Sequence, residues 1–489
     1  MTYTDMDTIA AFSTPPGESG LAVLRISGSL AASICDRLFV PSSSKFAKPS
    51  DMEGYTLAHG YWDSIDEVVI ACFRAPHSYT GEDVYEISCH GGQAIRQAVL
   101  DSVLAAGARA AGPGEFSRRA FCNGKMDLTA AEAVMDMIGA QAEKQAQVAY
   151  RQLMGGVSRV IHERTDHLYG ALARLEMLLD WDEEEERPED RALLVRELEH
   201  SEQELRHLAE SFTGGRIIRE GLAVVIAGSP NVGKSSLLNA LSGRDRAIVS
   251  HIPGTTRDTV EVDLSLDGYL VHLTDTAGLA IDSHDPIERE GIIRAESALR
   301  TADLILWVLS PPLPSEDDRR QEEARIDRCL MDGKELLLVL GKDDLRLSLP
   351  KEEDPAYYAA ERYPDLPTIT WSDRSEEDLQ RLKDTLVRFI EGGTLVMMED
   401  DREVTSRDQV KSHGEGQSHG LLTHARHKAA VDRAVELVGN ARADLQTGLS
   451  FDLVAISLKE ALTELSTITG EDVSETLIEK IFSRFCIGK

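Results

Sequence analysis

Residues 228–235 read Gly228-Ser229-Pro230-Asn231-Val232-Gly233-Lys234-Ser235, a complete G-x-x-x-x-G-K-[ST] phosphate loop. Its glycines let the backbone curl until N–H groups point at phosphate oxygens. Lys234 would reach the β- and γ-phosphates, and Ser235 would hold Mg²⁺. Two further segments follow in the order this chemistry needs. Gly254-Thr255-Thr256-Arg257-Asp258 offers Thr256 to complete the Mg²⁺ shell and sense the γ-phosphate, as a mobile switch loop does. Asp275-Thr276-Ala277-Gly278 offers Asp275 to support Mg²⁺ through water, and the Gly278 N–H to the γ-phosphate. Together the three motifs predict a nucleoside triphosphate site.

A fourth segment bears on the base. GTPases carry Asn-Lys-x-Asp after a strand, the Asp pairing with the N1 and N2 edge of guanine. Here the apolar run Leu336–Leu340 leads into Gly341-Lys342-Asp343-Asp344. Lys342 and Asp344 are in place, but Gly341 removes one base contact and a loop-bracing side chain. Guanine is still expected, bound more weakly, because Asp344 carries most of the discrimination against adenine. The last base-loop motif, near Thr370-Trp371-Ser372, is degenerate. A second departure concerns hydrolysis. Leu279 stands where Ras-like proteins have the Gln that orients the attacking water. Some other group must act, or the protein is a slow switch. Glu288 is a candidate; read alone, it fits a surface helix better. No arginine finger can be picked out.

The elements that must position these residues are legible around them. Leu222–Ala227 reads as the strand entering the phosphate loop, and Ser236–Leu241 as the helix leaving it. Val260–Leu266 and Tyr269–Thr274 flank Asp267-Gly268, a hairpin turn. Leu304–Leu309 and Leu336–Leu340 add strands separated by helical stretches, so a mostly parallel sheet with one antiparallel edge strand is expected. Thr213-Gly214-Gly215 reads as a linker into this domain, which runs to about Gly392-Gly393. The first ~125 residues look mixed, with short β-rich runs at Leu21–Ile26, Val68–Phe73 and Val84–Ser88. From Thr129 the pattern turns helical. Leu168, Leu172, Leu175 and Leu179 share one face, Leu194, Leu198, Leu205 and Leu208 continue it, and Pro188 marks a break between helices. Residues 399–420 are polar and read as a flexible loop. Helical patterning resumes with Val431, Val435 and Val438, then Leu453, Ile456, Leu462 and Leu465. The nucleotide domain is thus expected as an insertion between two helical segments that pack into one bundle.

Composition sets limits. At 489 residues the chain needs several cores, and 42% hydrophobic content can fill them. Neither a signal peptide nor a membrane span is expected. Six cysteines without C-x-x-C pairs fit a reducing cytoplasm. The net charge of −32 repels nucleic acid, so an RNA partner must be held by a local basic patch or by another protein. Asp180 and Asp182–Glu186 put six acids in seven positions, a solvated helix end or a docking surface for a basic partner.

Further segments carry a resemblance. Asp7-Thr8-Ile9-Ala10-Ala11 is followed by Thr14-Pro15-Pro16-Gly17, Leu24-Arg25-Ile26-Ser27-Gly28, Ser78-Tyr79-Thr80-Gly81-Glu82-Asp83 and Cys89-His90-Gly91-Gly92. Pro113-Gly114-Glu115-Phe116, Asn123-Gly124-Lys125-Met126-Asp127 and a terminal Phe485-Cys486-Ile487-Gly488-Lys489 complete the set. Nearly full length, the chain resembles the MnmE/TrmE family of tRNA-modifying GTPases. The resemblance implies an α/β and all-α multidomain fold. An α+β tetrahydrofolate-binding, dimerisation domain would span 1–125, a split helical bundle 126–215 and 393–489, and an inserted Ras-like G domain 216–392. It implies a cytoplasmic homodimer that joins an FAD-dependent partner (MnmG, or GidA) in a heterotetramer, with tRNA held largely by that partner. Together they would add a carboxymethylaminomethyl group to C5 of the wobble uridine.

Residue roles carry over by motif. A 5-formyl- or 5,10-methylene-tetrahydrofolate is implied at Arg25, Glu86, Lys125 and Lys489, where cationic side chains suit a glutamyl tail and polar pterin. GTP contacts are implied at Asn231, Val232, Gly233, Lys234, Ser235 and Ser236, at Ser250, Ile252, Gly254, Thr255 and Thr256, at Asp275, Thr276, Ala277 and Gly278, and at Lys342 and Asp344. Relatives supply the missing positive charge with K⁺, which here would take Asn231, Ser250, Ile252 and Thr255 as hard oxygen ligands. Glu288 corresponds to the family's water-positioning glutamate, and Cys486 to a cysteine needed for modification. Two other readings remain: a regulatory GTPase switch in ribosome or RNA assembly, and a folate-dependent transferase acting alone. A pure switch needs no Arg25, Glu86, Lys125 and Lys489 set.

Overall fold

A computed structural model describes residues 7–43, 48–179, 188–243, 261–276, 295–346, 349–392 and 421–488. The acidic 180–186 run and the polar 399–420 stretch lie outside these residues. The chain divides into two compact units. One comprises Met1–Met135, Gln152–Glu199 and Glu436–Lys489; the other comprises Asp136–Arg151 and His200–Val435. No described helix is long and apolar enough to cross a membrane.

In the first unit, seven described strands form one sheet. They are β1 (Ile9–Phe12), β2 (Leu21–Ser27), β3 (Phe39–Pro41), β4 (Thr56–Trp62), β5 (Asp66–Phe73), β6 (Val84–His90) and β7 (Arg109–Ala110), ordered β3-β4-β5-β6-β2-β1-β7. All neighbours are antiparallel except β1 and β7. Alternation along each strand sends one set of side chains to a covered face. There Leu24, Ile26, Trp62, Ile70, Tyr85 and Ile87 meet Ile34 and Cys35 of the helix Ala31–Leu38, and Val99 and Val103 of the helix Gln93–Ala105. The opposite face has a smaller apolar cluster of Ile9, Ala11, Ala111 and Phe116, with Tyr79 against it.

The same unit holds a helical pair. Gly156–Leu179 packs against Phe451–Thr469. His162 meets Glu471 at 2.9 Å and Glu176 meets Lys459 at 2.9 Å, so the two run antiparallel. Leu168, Leu172 and Leu175 are buried as the periodicity predicts, while Leu179 at the helix end is partly exposed. In the partner helix the buried face is Val454, Leu458, Ala461, Leu462 and Leu465. Leu453 and Ile456, expected with them, point outward.

The second unit contains the other sheet: β8 (Leu222–Ala227), β9 (Glu261–Leu266), β10 (Tyr269–Asp275), β11 (Leu304–Leu309), β12 (Glu335–Gly341) and β13 (Thr368–Trp371). Their order is β13-β12-β11-β8-β10-β9. All pairs are parallel except β9 with β10 at the edge, the arrangement the sequence predicts. Asp267 and Gly268 both have positive φ, as a two-residue hairpin turn requires. Every residue of β11 is buried because both faces are covered. On one side Leu237, Leu241, Leu382, Leu386 and Phe389 pack on Val224, Ile226 and Leu306; on the other Ile326, Ala359 and Tyr363 pack on Val225, Ile305 and Leu338. Each fully buried leucine contributes roughly 1.5–3 kcal/mol relative to exposure.

The linker expected at Thr213-Gly214-Gly215 is instead the helix Phe212–Glu220, which stops at Gly221 one residue before β8. Gly215 serves packing there rather than flexibility. A Cβ on it would lie 2.0 Å from the Leu422 carbonyl oxygen, so only glycine lets the two backbones approach.

Candidate functional site

The phosphate loop leaves the C-terminal end of β8, between parallel neighbours β11 and β10. Gly228 (φ +135°) and Gly233 (φ +105°) adopt conformations closed to ordinary side chains. Gly233 then caps the helix Lys234–Ser242, whose first-turn N–H groups face the loop's concavity. The buried Lys234 ammonium folds back across the loop, donating to the carbonyls of Gly228 (2.9 Å) and Ser229 (2.8 Å). Burial draws its pKa below the ordinary lysine value, while Asp275 and Glu322 oppose that shift. Triphosphate oxygens are natural replacements for those carbonyls.

The Asp-Thr-Ala-Gly segment is anchored beside this loop. Asp275 ends β10 in register with Ile226, and Thr276 donates both its N–H and its hydroxyl to the Ile226 carbonyl. This brings the Ser235 hydroxyl to 2.9 Å from Asp275 Oδ2. Two oxygen ligands this close, one of them a carboxylate, fit a hard divalent cation such as Mg²⁺.

The base loop lies next to the same helix. Gly341 ends β12 opposite Trp371 of β13, and Trp371 packs against Gly233. Lys342 Nζ donates to the Asn231 carbonyl at 3.2 Å, tying base loop to phosphate loop. Asp344 pairs with Arg374 at 3.3 Å and accepts the Ser372 hydroxyl at 3.4 Å. The degenerate last motif thus lies beside the acid that would read guanine. Val232 is buried in the core, and Asn231 and Ser236 are exposed. Ser250, Ile252, Gly254, Thr255, Thr256, Ala277, Gly278, Leu279, Glu288 and Lys489 fall outside the described residues. Sequence reasoning placed Ser372 in the degenerate last motif and missed Glu322 and Arg374. Glu322 lies 93 positions from the loop residue it touches, and no local pattern marks it.

Arg25, Glu86 and Lys125, expected at a folate, lie on the first unit. Arg25 of β2 and Glu86 of β6 are register partners, joined by Nε–Oε1 at 2.8 Å and a second contact at 2.7 Å. The Arg25 guanidinium also lies 4.9 Å from the Tyr79 ring centroid and 5.5 Å from that of Phe116. Lys125 Nζ donates to the Pro76 carbonyl at 2.8 Å, at the start of the loop that carries Tyr79. The chain end lies against loops that flank this sheet. The Gly114 N–H donates to the Cys486 carbonyl, Ile487 bridges Pro113, and Ser13 donates to the Gly488 carbonyl. A Cβ on Gly488 would lie 2.0 Å from the Phe12 carbonyl oxygen, one residue beyond the Ala11–Arg25 pair. The Cys486 residue is exposed.

Comparison with known proteins places this architecture. The TrmE N-terminus family model matches residues 8–125, and the MnmE helical domain model matches residues 128–486. The tRNA modification GTPase MnmE of Roseiflexus sp. (strain RS-1) is 40% identical over 488 residues, covering 99% of each chain. The chain belongs to the MnmE family. The MnmE of Moorella thermoacetica is likewise 40% identical, over 493 residues and 99% of each chain. Among solved structures, the G domain of the T. maritima FeoB iron transporter is 26% identical. It covers 34% of this chain and 98% of that one, with a TM-score of 0.26. Family membership fits the fold: an α+β N-terminal unit with helices, and a phosphate-loop sheet with one antiparallel edge.

Proposed function

We propose that this chain is a K⁺-dependent GTPase that, with an FAD-dependent partner, adds a carboxymethylaminomethyl group to C5 of the wobble uridine of certain tRNAs, drawing on a tetrahydrofolate one-carbon unit. As a member of the MnmE family it is a tRNA modification GTPase, a GTP-binding hydrolase. The observation that carries the fuller reading is the presence of two chemically different constellations in one chain. One is the phosphate loop with its Ser235–Asp275 oxygen pair; the other is the Arg25–Glu86 pair under Tyr79 and Phe116, with Lys125 nearby. A plain switch has no use for the second.

In the nucleotide site, Lys234 and the first-turn N–H groups bind the β- and γ-phosphates, and Asp344 pairs with the guanine edge. Mg²⁺ and K⁺, when bound, neutralise charge that develops on the phosphate oxygens. Ser235 and Thr256 would hold the first, Asn231, Ser250, Ile252 and Thr255 the second; the exposed Asn231 amide at the loop mouth fits that role. Glu288 would orient the attacking water that Leu279 cannot. In the other unit, Arg25, Lys125 and Lys489 would bind the glutamyl tail and pterin of the folate, with the Tyr79 and Phe116 rings beside them.

A second copy of the chain is the expected neighbour. Val40 (62% exposed), Leu57 (67%) and Tyr61 (51%) leave an apolar patch on the uncovered side of β3 and β4, suited to a homodimer. The excess of acid over base leaves tRNA contact largely to the FAD-dependent partner. Titrating 5-formyltetrahydrofolate into the purified chain tests the folate claim by calorimetry. Saturable binding that Arg25→Ala weakens about tenfold or more is expected from loss of a charged contact. No heat of binding would return the chain to the class of regulatory switches.

A further inference from the structure

Glu322 belongs to none of the motifs above, yet it touches the phosphate loop. It lies on the helix Glu316–Met331 with only 5% of its surface exposed. Its Oε1 accepts the Ser229 N–H at 3.1 Å and the Trp307 indole N–H at 3.0 Å. Trp307 stands on β11 in register with Ala227, the last residue before the loop. The peptides flanking Ser229 are therefore held from both sides: the N–H by Glu322, the carbonyl by Lys234 at 2.8 Å. Ser229 precedes the N–H groups that a loop of this kind turns toward phosphate, so the clamp consumes none of them.

A carboxyl buried beside an anion-binding loop is unfavourable unless it organises its surroundings. Burial raises the Glu322 pKa, and its Trp307 and Ser229 hydrogen bonds counter that rise. We propose that Glu322 is a positioning residue of the nucleotide site: it fixes the entry of the phosphate loop by accepting the Ser229 N–H and holding it against the Trp307 indole. Nucleotide bound to the loop then meets N–H groups already aimed, and ordering the loop costs less on binding. The inference rests on the reading that residues 228–235 bind GTP.

The test uses the full chain with fluorescent GDP and GTP analogues, turnover kinetics and a thermal melt for each variant. Glu322→Gln keeps an acceptor oxygen, and its affinities should stay within about threefold of the parent. Glu322→Leu leaves a buried indole N–H and a half-buried backbone N–H without this acceptor, and both nucleotides should bind about 10- to 100-fold more weakly. KM should rise with little change in turnover at saturation, because Ser229 does not touch the reacting atoms. Trp307→Phe removes one of the two donors and should weaken binding about threefold to tenfold, giving a reading even where the leucine variant does not fold. Parent-like affinity in folded Glu322→Leu, unchanged binding in Trp307→Phe, or a Gln variant as weak as a folded Leu variant would each overturn the proposal. Failure of the parent chain to bind either nucleotide would instead overturn the GTP reading itself.

Discussion

Gly341 is where the base loop departs from Asn-Lys-x-Asp, and the structure allows the departure to be reversed. Gly341 closes β12 without a positive φ, so a side chain meets no backbone strain. A Cβ there would lie 3.3 Å from the Val232 carbonyl oxygen, 3.5 Å from Val308 Cγ1 and 3.6 Å from the Leu309 carbonyl oxygen. Only the first contact is tight, and a shift of a few tenths of an ångström relieves it. Gly341→Asn would then put an amide between base and phosphate loop, beside the tie that Lys342 makes. One new neutral hydrogen bond is worth about 0.5–1.5 kcal/mol, or roughly 2- to 13-fold in affinity. Replacing glycine also narrows the unfolded ensemble, adding roughly 0.4–1 kcal/mol of stability. GDP is therefore expected to bind about fivefold more tightly, within that range, mainly through slower release. Stopped-flow release of a fluorescent GDP analogue, with a thermal melt alongside, measures both. Weaker binding in a variant that melts at or above the parent temperature would show instead that the Val232 contact outweighs the restored brace.

Exchanging K⁺ for Na⁺ should cut GTP turnover strongly, and equal rates in the two salts would sink the Asn231 cation assignment. Glu288→Ala should leave nucleotide affinity intact and slow hydrolysis roughly 10²-fold or more if it orients water; an unchanged rate would return it to the surface residues. Gly215→Ala forces a methyl into the Leu422 carbonyl and should destabilise the second unit by about 1–3 kcal/mol. A denaturant midpoint equal to the parent's would show that the two backbones separate freely.

What the sequence made legible was what local pattern determines. The phosphate loop is contiguous, and its flanking strand β8 matches the apolar run Leu222–Ala227 residue for residue. Strand β11 was equally plain, since burial on both faces makes a strand apolar throughout. Strands β1, β3, β4, β7 and β13 are not visible in the sequence, because their pairing comes from neighbours rather than from their own composition. Gly214-Gly215 suggests a linker because glycine usually marks a break; here the distant Leu422 carbonyl demands a residue without a side chain at Gly215. Leu453 and Ile456 were grouped with the core of their helix, though the packed face is the adjacent one. Within the site, motif residues were found in order. Glu322 and Arg374 reach the loops only through tertiary packing, which spacing alone does not encode.

On the proposed function, the phosphate-loop GTPase and the proposed folate site of this chain serve one modification of tRNA. Mass analysis of wobble uridine tests it most directly, in cells lacking the chain and again after return of the parent, Lys234→Ala or Arg25→Ala forms. Loss of the carboxymethylaminomethyl nucleoside, restored by the parent and by neither variant, is the predicted result. An unchanged nucleoside profile in cells lacking the chain would contradict the account.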